Sequence, residues 1–155
     1  MQRLQAAITA FAPHSVLCIG RRAAQWVAGW AAAHPECRIT RRESVPGLAE
    51  LEAGERADLV LVSELPATAG RREAEQAIAR LRDLGGTRVI LGVSPSAGWQ
   101  AADLFALGFT RLGELETDGE PLRLYAFDLN AYKTTPDWLN SRYWAHPELF
   151  GKYWW

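Results

Sequence analysis

The chain has 155 residues, 48% of them hydrophobic and 23% charged, with a formal net charge of −1, the profile of one globular domain with a single core. Near-neutrality excludes a global basic field of the kind that attracts nucleic acid, so any anion site must come from local clustering. No apolar run reaches the about 18 residues of a membrane helix and no signal-peptide core precedes Pro13, so a cytoplasmic protein that does not enter a membrane is expected.

Leu4, Ala7, Ile8 and Phe11 recur at helical spacing until Pro13 stops the pattern, which predicts a leading helix over 2–12. The run Ser15–Ile19 is the first strand, ending on Gly20, Arg21 and Arg22. A helix from Arg22 to Ala33 follows, with Ala23, Trp26, Val27 and Trp30 on one face. It stops at His34 because the residue before a proline is pushed out of the helical region. Cys37–Thr40 forms a short second strand, with Arg41, Arg42 and Glu43 after it, and 45–51 offers a weak helical turn.

Asp58–Ser63 is a continuous run of leucine and β-branched residues, as expected of a strand covered on both faces. After a loop over 66–70, Arg71–Leu84 is helical, with Ala74, Ala77, Ile78 and Leu81 inward and Gly85 and Gly86 ending it. Arg88–Val93 is the fourth strand and runs into Ser94-Pro95-Ser96. Trp99–Leu107 is the next helix, capped by Gly108. Phe109–Glu116 and Leu122–Leu129 flank an Asp118-Gly119 turn and read as an antiparallel hairpin.

This order predicts an α/β fold: a Rossmann-like, doubly wound, mostly parallel sheet closed by a C-terminal antiparallel hairpin, with its crevice at the carboxyl ends of the strands. Residues 1–129 form the domain. Residues 130–155 form a tail rich in aromatics, carrying four of the seven tryptophans. Cys18 and Cys37 lack a CxxC spacing and read as reduced thiols. His14, His34 and His146 are isolated, so no metal is expected.

The runs Val16–Gly20, Ala57–Val62, Thr87–Val93 and Asp103–Phe109, in this order over 13–129, resemble the class I S-adenosylmethionine-dependent methyltransferase fold. The whole chain is also similar to small bacterial proteins of unknown function. The resemblance implies an acid within the first strand and alternating glycines after it; this chain has Cys18, Gly20, Arg22 and Ala24 there. It also implies an acid for the cofactor ribose at the end of strand 2, where Thr40 and Arg41 stand, with Glu43 slightly beyond. One connecting unit is missing between strands 2 and 3. No cofactor is therefore expected, and S-adenosylmethionine remains the alternative.

Three constellations could carry function. Arg21 and Arg22, Arg41 and Arg42, and Arg71 and Arg72 follow three successive strands. With Gly20 and Ser94 they would line the carboxyl edge and accept an anionic small molecule or nucleotide, since guanidinium forks match phosphate and carboxylate; the competing reading pairs these arginines with Glu43, Glu64 and Glu73. Glu64, after strand 3, is a candidate general base or a further ligand contact if burial raises its pKa, but no second catalytic group accompanies it. Ser94 lacks the spacing of a strained nucleophile turn.

The third constellation is the tail. Trp138, Tyr143, Trp144, Trp154 and Trp155 could pack on the domain's own surface, or anchor a protein partner or second subunit. Stacking on single-stranded nucleic acid is diluted by Asp137 and Glu148. The expected function is a non-catalytic binding or interaction module on a methyltransferase-like fold with an anion- or nucleotide-binding crevice. The alternative is a divergent transferase that uses S-adenosylmethionine or a nucleotide.

Overall fold

The computed structural model describes residues 2–43, 56–63 and 70–132. The expected turn over 45–51, Glu64, most of the loop over 66–70 and the tail beyond Tyr132 lie outside them. In chain order the elements are helix α1 (Gln2–Phe11), strand β1 (Ser15–Ile19), helix α2 (Ala23–Ala33), strand β2 (Arg38–Arg42) and strand β3 (Ala57–Val62). Helix α3 (Arg71–Arg80) continues into a π-helical turn, Leu81–Gly85, and strand β4 (Gly86–Val93). A 3-10 turn over Pro95–Ala97, helix α4 (Ala101–Ala106), strands β5 (Thr110–Leu115) and β6 (Leu122–Asp128) and the short helix α5 (Leu129–Tyr132) complete the described chain.

The strands form one six-stranded sheet in the order β2-β1-β3-β4-β6-β5. β2, β1, β3 and β4 are parallel, and β6 enters antiparallel between β4 and β5. The expected mostly parallel sheet with a closing hairpin is present.

β1 is buried from Val16 to Ile19 because helices cover both faces of the sheet. Leu17 and Ile19 join Val60, Val62, Val89 and Leu91 beneath α3 and α4, through Ala74, Ile78 and Leu104. Val16 and Cys18 point the other way and join Leu59, Leu61 and Ile90 beneath α1 and α2, through Leu4, Ile8, Ala23, Trp26 and Val27. This division follows from the two-residue alternation of a strand. Trp26 needs a flat partner: a Cβ on Gly92 of β4 would lie 2.5 Å from its Cη2.

Three of the boundaries that differ from the sequence reading have a direct structural cause. β2 continues through Arg41 and Arg42, because β1 offers ladder partners as far as Ile19. Gly86 opens β4 instead of ending the preceding helix, because it pairs with Ala57 after the π turn has reversed the chain. α4 starts at Ala101 and leaves Trp99 outside it, since Gln100 and Asp103 form a reciprocal capping box. Among the described residues, no helix is long and apolar enough to cross a membrane.

Candidate functional site

The carboxyl ends of the parallel strands are built around the turn after β1. Gly20 has φ +89°, a left-handed conformation that glycine adopts at little cost. Its N–H donates to the Arg42 carbonyl at 2.9 Å, so the β1 turn is tied directly to the end of β2. Arg21 and Arg22 follow with exposed side chains, and Arg22 is the N-cap residue of α2.

Beneath this turn lies Ser63, the one buried polar or charged side chain among the described residues. Its N–H and its hydroxyl donate to the Ile19 carbonyl at 3.0 and 3.4 Å. Its Oγ in turn accepts the Arg22 N–H at 3.3 Å. A backbone donor at the start of α2, of the kind that would otherwise face a ligand, is thus used internally. The sequence reading singles out the neighbouring Glu64; the structure gives Ser63 a role that its burial reveals.

Arg41 and Arg42 are neighbours in sequence but diverge in space. Arg41 is in register with Cys18 and Arg42 with Ile19, and those two residues belong to opposite faces of the sheet. The Arg41 side chain is exposed and Arg42 is half-buried. Cys18 itself is buried, and desolvation pushes its thiol up to about 11, with the Arg41 charge opposing that shift.

Ser94, at the end of β4, is occupied by another partner. Its hydroxyl donates to the Glu120 carboxylate from the β5–β6 turn. Ser96 donates to the same carboxylate through its hydroxyl at 2.6 Å and its N–H at 3.1 Å. The hydrogen bonds from Ser94 and Ser96 hold the Glu120 carboxyl below its ordinary value, which makes it a weak base for activating a serine. The sequence carried no signal for this contact, because the partners are 26 residues apart.

Arg71 is likewise committed. It stacks over the Trp99 ring at 4.1 Å, donates to the Gly98 carbonyl at 3.2 Å and to Glu75 at 2.9 Å, and pairs with Asp103. It joins the start of α3 to the start of α4 and is not part of an open rim. Arg72 beside it is exposed. By contrast, Arg21, Arg22 and Arg41 make no side-chain hydrogen bond or ion pair with a described residue. The structure therefore places Gly20, Arg21 and Arg22 in the turn tied to the Arg42 backbone, with the Arg41 and Arg42 side chains on opposite faces of β2, and leaves Ser94 and Arg71 in separate clusters. No group of three or more metal-ligating side chains occurs among the described residues.

This parallel sheet with an inserted antiparallel strand defines a Rossmann-like fold of the methyltransferase type. The chain is similar in structure to an O-methyltransferase titled as putative from Nostoc punctiforme PCC 73102, with a TM-score of 0.54, 14% identity, and 82% of this chain and 56% of that chain covered. It is also similar to the 1,6-didemethyltoxoflavin-N1-methyltransferase of Burkholderia thailandensis, solved with 1,6-didemethyltoxoflavin and S-adenosylhomocysteine. There the TM-score is 0.52 and the identity 15%, with 81% of this chain and 75% of that chain covered. At such identities the likeness establishes the fold. No functionally curated protein matches the sequence. The chain belongs to the family of unknown function DUF6231, whose model matches residues 1–155.

Proposed function

We propose that the protein is a non-catalytic binding module in which the carboxyl edge of a methyltransferase-like sheet holds an anionic small molecule, such as a nucleotide. The observation that supports this reading is that Arg21, Arg22 and Arg41, at the carboxyl ends of the adjacent strands β1 and β2, are all exposed and without a side-chain partner among the described residues, beside the turn that joins Gly20 to Arg42. Guanidiniums left without acids at adjacent strand ends suit a phosphate or carboxylate, which accepts their donors in pairs.

The donor set suits S-adenosylmethionine poorly. A guanidinium has no acceptor for the hydroxyl hydrogens that a ribose donates, and a basic rim repels a sulfonium cation. Calorimetric titration of the full chain with ADP, ATP and S-adenosylmethionine tests the reading. The nucleotides should bind, more weakly as salt is raised, and Arg21→Ala/Arg22→Ala should abolish binding. S-adenosylmethionine binding tighter than about 100 μM would favour the divergent transferase instead.

A further inference from the structure

The opposite, amino-terminal edge of the sheet carries a second basic concavity that neither the fold nor the arginine rim accounts for. A cavity of about 160 Å³ opens over the first residues of β1, β2 and β3. Ser15, Leu17, Arg38, Thr40, Arg56 and Ala57 are among its lining residues. Among the described residues of the lining, these two arginines are the charged ones. Both are exposed, and neither makes a side-chain hydrogen bond or ion pair with a described residue.

Register explains why the lining converges. Arg38 pairs with Ser15 and Thr40 with Leu17, so by strand alternation these four residues share one face of the sheet. Arg56 immediately precedes β3, two strand spacings or roughly 10 Å from β2. Arg38 and Arg56 thus stand on either side of β1 and its Ser15, with Thr40 on the same strand and face as Arg38. The Thr40 hydroxyl has no hydrogen-bond partner among the described residues, while Ser15 Oγ accepts the Asp58 N–H at 3.0 Å and keeps its own proton to donate.

Arg56 also lines a neighbouring concavity, to which Asp58 and Asp83 contribute. Asp58 Oδ2 accepts the backbone N–H groups of His14 and Ser15 at 2.9 and 3.0 Å. The cavity therefore offers two cations, two hydroxyl donors and a volume suited to one tetrahedral or planar oxyanion.

We propose that the cavity between Arg38 and Arg56 is a binding site for a small oxyanion, a phosphate or carboxylate group, separate from the rim at Arg21, Arg22 and Arg41. The inference does not depend on the proposed function, and its test distinguishes the two edges.

The full-length protein is titrated with inorganic phosphate at constant ionic strength, with chloride as the control, and followed by melting temperature and by amide NMR. Phosphate should raise the melting temperature beyond chloride and shift the Ser15 and Thr40 amides. Arg38→Ala/Arg56→Ala should weaken the affinity read at the Ser15 and Thr40 amides about tenfold or more, while the amides around Gly20 report any anion at the rim separately. Thr40→Val, which removes a hydroxyl and keeps the strand-forming branch, should weaken it several-fold in a chain whose fold is checked by the same spectra. The proposal is overturned if phosphate does not shift the Ser15 and Thr40 amides beyond chloride, if those shifts survive Arg38→Ala/Arg56→Ala and Thr40→Val, or if phosphate shifts only the amides around Gly20.

Discussion

The Ser63 hydroxyl accepts the Arg22 N–H at 3.3 Å across 41 residues of sequence, so the end of β3 holds the first turn of α2. Because Ser63 is fully buried, an alanine there leaves the Arg22 N–H without this acceptor, while the Ile19 carbonyl keeps the backbone N–H of residue 63. Ser63→Ala should cost about 1–2 kcal/mol, read from urea unfolding. An unchanged midpoint would mean that water replaces the hydroxyl without loss.

The contact between Trp26 and Gly92 is set by shape. A methyl group on Gly92 would meet the indole ring at 2.5 Å and Leu122 Cδ1 at 3.4 Å, and the ring is held in the core. Gly92→Ala should destabilise by about 1–3 kcal/mol. Trp26→Leu should cost stability in the native background but much less when Gly92→Ala is already present, a non-additivity that a double-mutant cycle measures directly. Additive effects would show that the two residues do not touch.

Glu120 predicts a dependence on acid. Its folded pKa is depressed by Ser94 and Ser96, so the native state binds that proton less readily than the unfolded chain. Its contribution is complete above the unfolded carboxylate value and is lost as pH falls through the lowered folded value. Comparing the native protein with Glu120→Gln from neutral pH into acid should show a stability difference that shrinks as pH drops. A difference that is constant with pH would exclude the charged hydrogen bonds as its source.

The thiols predict the opposite sign. Burial raises Cys18 to about 11 and also raises Cys37, so native thiols stay protonated where unfolded ones ionise. Stability from Cys18 is present below its unfolded value of 9.0 and is lost as pH rises from there toward 11. At pH 8 in native protein, a thiol reagent followed by mass spectrometry should label the half-buried Cys37 before the buried Cys18. Equal rates at both would show that Cys18 is not shielded.

Much of the architecture was legible because it rests on local patterns. The run Ser15–Ile19 is apolar throughout because both of its faces are covered, Pro13 and Pro35 end helices through their own geometry, and Gly108 supplies the φ of +87° that closes α4. Chain order then restricts the strands to a mostly parallel sheet. The site was legible only in outline. Arg21 and Arg22 follow a strand end and were bound to reach the carboxyl edge.

Which arginines remain available depends on contacts between residues distant in sequence. Arg71 resembles Arg21 as a basic residue after a strand, yet Trp99 and Asp103, brought to it by the packing of α4, engage it. Arg41 and Arg42 read as one basic pair, but pairing β2 with β1 through Arg42 sends them to opposite faces. Ser94 carries no mark of Glu120. The sequence by itself determined the elements, their order and the clustering of charge, because helical and strand periodicities are local properties of the chain. Only the tertiary structure decided which charges are paired and which remain free, because that depends on register and on side chains that meet when the sheet closes.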